Sequence, residues 1–155
     1  MKVIVSVDDR ACSTLAIEAV RTRQWPVDTK FLVVEVVPRH EVRPPPPPML
    51  MLVLTGVDRP WDRVAHARAL VQLAVEMLRS AGLEVHGEVR MGHARREILR
   101  VAQEFSADLI VIGSPRTPGW HLSWVGWGGG LASRISASAP CSVDVIRGTG
   151  ASAMA

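Results

Sequence analysis

Five short runs rich in β-branched residues alternate along this chain with four stretches whose apolar residues fall at helical spacing. The runs are residues 2–7 (KVIVSV), 30–37 (KFLVVEVV), 83–90 (LEVHGEVR), 108–112 (DLIVI) and 142–146 (SVDVI). Between them, residues 13–23 place Leu15, Ala16, Ala19 and Val20 on one helical stripe, with Pro26 closing the segment. Residues 60–80 form the longest candidate helix, with a stripe of Val64, Ala67, Val71, Ala74, Val75 and Leu78 and a stop at Gly82. Residues 94–105 turn Ile98, Leu99, Ala102 and Phe105 inward, and residues 131–139 make a short helix ended by Pro140. Strict β-α alternation predicts a single open α/β sheet of five parallel strands. Right-handed crossovers then put helices on both faces. The second run is almost continuously apolar, as a strand covered on both faces must be. The third alternates and reads as a half-exposed edge strand.

The size agrees with one domain: 155 residues, 48% hydrophobic and 21% charged, too apolar for a disordered tail. The longest apolar run, residues 49–54, falls far short of the ~20 residues that a membrane helix needs. The opening apolar stretch breaks at Asp8-Asp9, so no signal peptide is expected, and the expected location is cytoplasmic. Cys12 and Cys141 stand far apart, outside any CxxC or metal-ligand spacing, and are expected to remain reduced. The net charge is +3, carried almost wholly by arginine, since Lys2 and Lys30 are the only lysines. The arginines are scattered, and the densest group, Arg95, Arg96 and Arg100, has the spacing of a solvated helical face. Nucleic acid is therefore not an expected partner. The five histidines (His40, His66, His86, His93, His121) show no ligand spacing and are expected at the surface, so no metal site is expected. A Pro-rich linker spans residues 38–58 and holds Pro44 to Pro48, a stiff polyproline stretch that spaces strand from helix or meets a partner. Residues 148–155 read as a flexible tail.

In an open parallel sheet, ligands bind outside the carboxyl ends of the strands where the winding reverses. The loops after the first and fourth runs are the ones to inspect. The first reads Val7-Asp8-Asp9-Arg10-Ala11-Cys12-Ser13. A carboxylate at Asp8 suits a ribose hydroxyl, a magnesium ion or an adenine amino group, whereas Asp9 is expected to cap the following helix, as Ser13 is to cap or open it. The second loop opens at Gly113, carries Arg116, Gly119 and three tryptophans (Trp120, Trp124, Trp127), and ends in Gly128-Gly129-Gly130 before a helix. Glycines let a phosphate approach backbone N–H groups, and a helix start presents free donors. A plain glycine-rich surface loop is the competing account. No lysine follows the glycines, so this is not a P-loop. The tryptophans suit base stacking, covering the loop or packing on a partner. Arg116 suits a phosphate or bulk water equally. No Ser-His-Asp or Cys-His pairing is apparent, and an enzyme is not expected.

These residues resemble the universal stress proteins. The family opens on a strand and V-D-G-S-x-x-S-x-x-A, to which Val7-Asp8-Asp9-Arg10, Ser13 and Ala16 are similar. Residues 33–38 look like its second strand, and Gly92-His93-Ala94, Ile98 and the ADLIVIGS stretch of residues 107–114 like its central block. Ala139-Pro140-Cys141-Ser142-Val143 resembles its closing A-P-C-P-V. The likeness covers residues 1–147 and implies one domain, strand order 3-2-1-4-5 and a homodimer. That dimer would pair the final strand (Val143, Asp144, Val145, Ile146) with its copy.

Nucleotide-binding members carry G-x2-G-x9-G-[S/T]. Here the pattern is G-x5-G-x9-G-G, with Gly113, Gly119 and Gly129 kept, Arg116 at the second-glycine spacing and Gly130 in place of the hydroxyl. The resemblance implies adenine contacts at Val7, Asp8, Val36 and Ile112, and phosphate contacts at Gly113, Arg116, Gly119, Gly129 and Gly130. The ligand would be ATP or ADP with magnesium, bound weakly by a regulatory stress-response module. A dimeric interaction protein of the same fold without nucleotide is the alternative.

Overall fold

Residues 1–39, 63–114 and 130–147 are described by the structure, a computed structural model. The expected linker from residue 40 onward, the helix start expected at residues 60–62, residues 115–129 and the expected tail from 148 lie outside the described residues. Among the described residues nine elements follow in order: β1 (Lys2–Ser6), α1 (Ala11–Thr22), β2 (Lys30–Val37), α2 (Arg63–Ser80), β3 (Glu84–Met91), α3 (Ala94–Phe105), β4 (Leu109–Ser114), α4 (Leu131–Ser136) and β5 (Ser142–Arg147).

Val3, Ile4 and Val5 are each completely buried, which fits a strand flanked on both sides and covered above and below. β1 is indeed the central strand of a five-stranded, all-parallel sheet ordered β3-β2-β1-β4-β5. Successive side chains alternate faces. Val3, Val5 and Val7 join Phe31, Val33 and Val111 beneath α1 and α2. Ile4, Val34, Ile110 and Ile112 meet Ile98, Val101 and Ile135 of α3 and α4 on the other face. Fully burying one such side chain stabilises by about 1.5–3 kcal/mol, so the two cores dominate the fold's stability. A clasp ties the sheet's start to the residue before β4: the Lys2 N–H donates to the Asp108 side chain at Oδ2 (2.7 Å), and the Asp108 N–H donates to the Lys2 carbonyl at 2.8 Å.

Helix ends follow local chemistry. Gly82, at φ +82°, closes α2 in the left-handed conformation that glycine adopts freely, and the Leu83 N–H returns to the Leu78 carbonyl at 3.3 Å. The indole of Trp25 donates to the Val20 carbonyl at 2.8 Å and packs edge-on against Phe31.

The structure corrects four local expectations. α1 begins at Ala11 rather than at residue 13. Leu15, expected inward, is exposed, because α1 packs on Cys12, Ala16, Ile17 and Val20 instead. α4 stops at Ser136, the last residues before Pro140 forming turns rather than helix. Gly113 does not open the irregular loop; it continues β4 and pairs in register with Ile146 of β5.

Candidate functional site

β1 delivers Val7 to the sheet's carboxyl edge, where its N–H donates to the Val34 carbonyl of β2 at 2.9 Å. The chain then turns sharply into α1. Asp8 shapes that turn. Its N–H donates to Ser13 Oγ at 2.8 Å, and the Ser13 hydroxyl donates back to Asp8 Oδ1 at 2.6 Å. Oδ1 also accepts the Arg10 N–H at 3.1 Å, while Oδ2 receives Arg10 Nε at 2.7 Å and Nη2 at 2.6 Å. A carboxylate offers about four acceptor positions, and all are engaged here. Asp8, not Asp9, therefore closes the loop onto the helix. The expectation that Asp9 caps α1 is corrected: Arg10 is the cap residue and makes no side-chain cap, and Asp9 instead meets Arg63 of α2 at 3.4 Å.

β4 ends beside this turn. A Cβ at Gly113 would overlap the Cys12 carbonyl oxygen, lie 2.5 Å from its carbon and 3.0 Å from the Ser13 nitrogen. Gly113 is thus required by the contact between β4 and the first turn of α1, whatever else it does. Gly130 differs: a Cβ there meets nothing within 4 Å, and the residue stands at the cap position of α4 without a side-chain cap. Val36 and Ile112 lie near the carboxyl ends of β2 and β4 on the face covered by α3 and α4, whereas Val7 belongs to the opposite face. The carboxyl ends of β2, β1 and β4 are thereby adjacent, and Val7, Asp8, Val36, Ile112 and Gly113 gather there. Arg116, Gly119, Gly129 and the three loop tryptophans lie outside the described residues.

β5 is the outermost strand, as expected, and its Asp144 is paired at 2.7 Å with Arg23, the cap residue that follows α1. Both thiols are free, and burial pushes each of them up, helped by Asp8 at Cys12 and by Asp108 at Cys141. His66, His86 and His93 are exposed. Among the described residues no three His, Cys, Asp or Glu side chains are placed to hold a metal ion, and no helix is long and apolar enough to cross a membrane.

Sequence reasoning missed one group. Glu35 sits in the middle of the apolar β2 at 1% exposure, and neither carboxylate oxygen has a hydrogen-bond partner among the described residues. Arg63 Nη2 lies 3.5 Å from Oε1, itself buried at the start of α2. Burial pushes the Glu35 carboxyl up to about 7; Arg63 pulls it down, and Asp9 and Asp8 push it further up. The signal was available: one acid inside an otherwise apolar buried strand demands a partner.

The universal stress protein family model matches residues 1–147. A universal stress protein from Lactobacillus plantarum superposes with TM-score 0.62 at 21% identity, covering 95% of this chain and 97% of that one. A family protein from Arabidopsis thaliana with AMP bound gives TM-score 0.66 at 16% identity, covering 97% and 93%. The universal stress protein from Archaeoglobus fulgidus in complex with dAMP gives TM-score 0.57 at 22% identity, covering 94% and 96%. No curated protein matches the sequence. With a matching profile over nearly its whole length and the strand order those structures share, this chain belongs to the universal stress protein family.

Proposed function

We propose that the chain binds an adenine nucleotide, ATP or ADP with magnesium, at the carboxyl ends of β2, β1 and β4 and acts as a regulatory module rather than an enzyme. The observation that carries this reading is the convergence of Val7, Asp8, Val36, Ile112 and Gly113 where the winding reverses. Similar proteins holding AMP and dAMP support it. Phosphates would be met by Arg116, Gly119, Gly129 and Gly130. Binding is weak in this reading for two reasons. Gly130 supplies no hydroxyl, and Arg10 already occupies the Asp8 carboxylate that a nucleotide would use. The protein would act as a homodimer joined through β5.

The second reading, an interaction protein without nucleotide, is favoured by that same full engagement of Asp8. Titration calorimetry decides between them. ATP should bind with low affinity, and Gly130→Ser should tighten binding about tenfold, since a hydrogen bond to a charged phosphate is worth about 1.5–3 kcal/mol at best. Absence of heat with both proteins at millimolar ATP and ADP would establish the second reading. Phosphate release above background would overturn the non-enzymatic assignment.

A further inference from the structure

Sequence spacing puts Arg95, Arg96 and Arg100 on one solvated face of α3, and the structure divides them. Arg95 turns aside and donates from Nη2 to the Ser138 hydroxyl at 2.6 Å. Arg96 and Arg100 instead open onto a cavity of about 550 Å³ between α3 and the end of β3, a volume in the range of small-molecule sites. Arg90 of β3 and Arg39, which stands just past β2, line the same cavity. Four guanidinium groups from three separate stretches of chain thus share one hollow. None of the four belongs to the residues assigned to the nucleotide.

Like charges gather at a cost unless something balances them. Here the balance is incomplete. Arg90 is well held, with Nη2 on Glu104 Oε2 and Nε on Glu88 Oε1, each at 2.6 Å. Arg100 must share that same Glu104, through Nε at 2.8 Å. Arg96, its side chain 72% exposed, comes within only 3.4 Å of the buried Glu97. Closed charge-assisted bonds are shorter, at about 2.7–2.9 Å. Arg39 is exposed and has no ion pair among the described residues. Among those residues two forks are therefore open and a third is half used. The rest of the wall is apolar: Val89 is half-buried, and Met91 is 53% exposed at the end of β3.

We propose that this cavity binds a small organic phosphate, with the phosphate on Arg39, Arg96 and Arg100 and the organic body against Val89 and Met91. A guanidinium fork meets phosphate oxygens two at a time, which a lysine cannot do. Arg90, already neutralised by two acids, holds the wall in place rather than meeting the ligand. Glu97 repels an anion placed deep beside it, so the phosphate belongs at the exposed guanidinium ends. Inorganic phosphate brings the charge but nothing for the apolar wall, and is the poorer ligand.

Phenyl phosphate is the probe, added at millimolar concentration to the full chain. In NMR it should shift the Nε–H signals of Arg39, Arg96 and Arg100 together and leave the exposed Arg134 of α4 unmoved. Shifts confined to the Asp8 and Gly113 amides would place it at the strand-end site instead and overturn the proposal. In calorimetry its affinity should fall about tenfold in Arg39→Gln and in Arg96→Gln, the loss of charge-assisted bonds, and hold in Arg134→Gln. Equal weakening in all three variants would mean plain attraction to a basic chain, and would overturn the site, as would absence of binding to the wild type. Both replaced side chains are exposed, so the variants should fold. Arg96→Lys keeps the charge and loses the fork; full affinity there would overturn the two-point contact. Inorganic phosphate should bind about fivefold more weakly than phenyl phosphate, and equal affinity would overturn the role of Val89 and Met91.

Discussion

Replacing Gly113 by alanine adds one methyl group at a close contact between β4 and the first turn of α1. The new Cβ would lie 2.5 Å from the Cys12 carbonyl carbon and overlap its oxygen. Ordinary contacts begin near 3.4 Å, so the backbone of α1 or β4 must retreat by about 1 Å. β4 cannot yield easily, because it is hydrogen-bonded to β1 on one side and to β5 on the other. α1 is anchored by the buried Ala16, Ile17 and Val20, so its first turn must swing out. That motion stretches the reciprocal bonds between Asp8 and Ser13. Overpacking of this kind costs about 1–3 kcal/mol, and one strained hydrogen bond adds about 1 kcal/mol. Against this, alanine restricts the unfolded chain and returns about 0.4–1 kcal/mol. The net expectation is a loss of about 2–3 kcal/mol, or a fall in Tm of about 5–10 °C at this chain length. Urea unfolding followed by circular dichroism measures it. Gly130→Ser is the control: the site is open, serine is the better cap, and stability should hold or rise slightly. A Gly113→Ala protein within about 0.5 kcal/mol of wild type would refute the packing argument.

Stability should fall as pH rises from about 4.5 to about 7, because folded Glu35 binds its proton more tightly than unfolded Glu35 does. The loss, relative to Glu35→Gln over the same window, should reach about 3 kcal/mol, and parallel pH profiles for the two proteins would contradict it. Arg10→Ala should free the Asp8 carboxylate and strengthen ATP binding about two- to fivefold by calorimetry, the scale of an exposed ion pair; weaker binding would make Arg10 a ligand contact instead. Val145→Pro, which removes a backbone donor from β5, should abolish a homodimer in sedimentation. Asp144→Leu should change it only modestly, since Arg23 already balances that charge. A dimer indifferent to Val145→Pro would place the interface elsewhere.

Much of this molecule was legible because its signals are local. Residues 2–7 and 30–37 could only be covered strands, and α3 matches its apolar spacing end to end. Gly82 announced the end of α2 by its backbone freedom. Side-chain partners are another matter. Asp9 looked like a cap because a helix starts beside it; its actual partner, Arg63, lies 54 residues away in sequence. Leu15 fits the apolar stripe of α1, but which arc of a helix faces the sheet is decided by the tertiary fit, here by Cys12 and Ala16. Gly113 resembles a loop opener from composition alone. Its place inside β4 follows from pairing with β5, which no local pattern encodes. Of the candidate site, the framework at the strand ends was foreseen, while the charges that bridge it were not.

Placing the first-made strand at the centre of the sheet has a consequence for biogenesis. β1 leaves the ribosome before the other four strands, yet one of its two neighbours is β4, so that Val3 pairs with Leu109. At about 5–20 residues per second, roughly 5–20 s of synthesis separate the two. During that interval β1 can dock only on β2, and its other side offers unpaired N–H and C=O groups beside Val3, Ile4 and Val5. Joining so late a strand to so early a one is the slow kind of contact for a folding chain. Until β4 emerges that edge stays open, and a chain cut short before Leu109 should aggregate through β1 rather than fold.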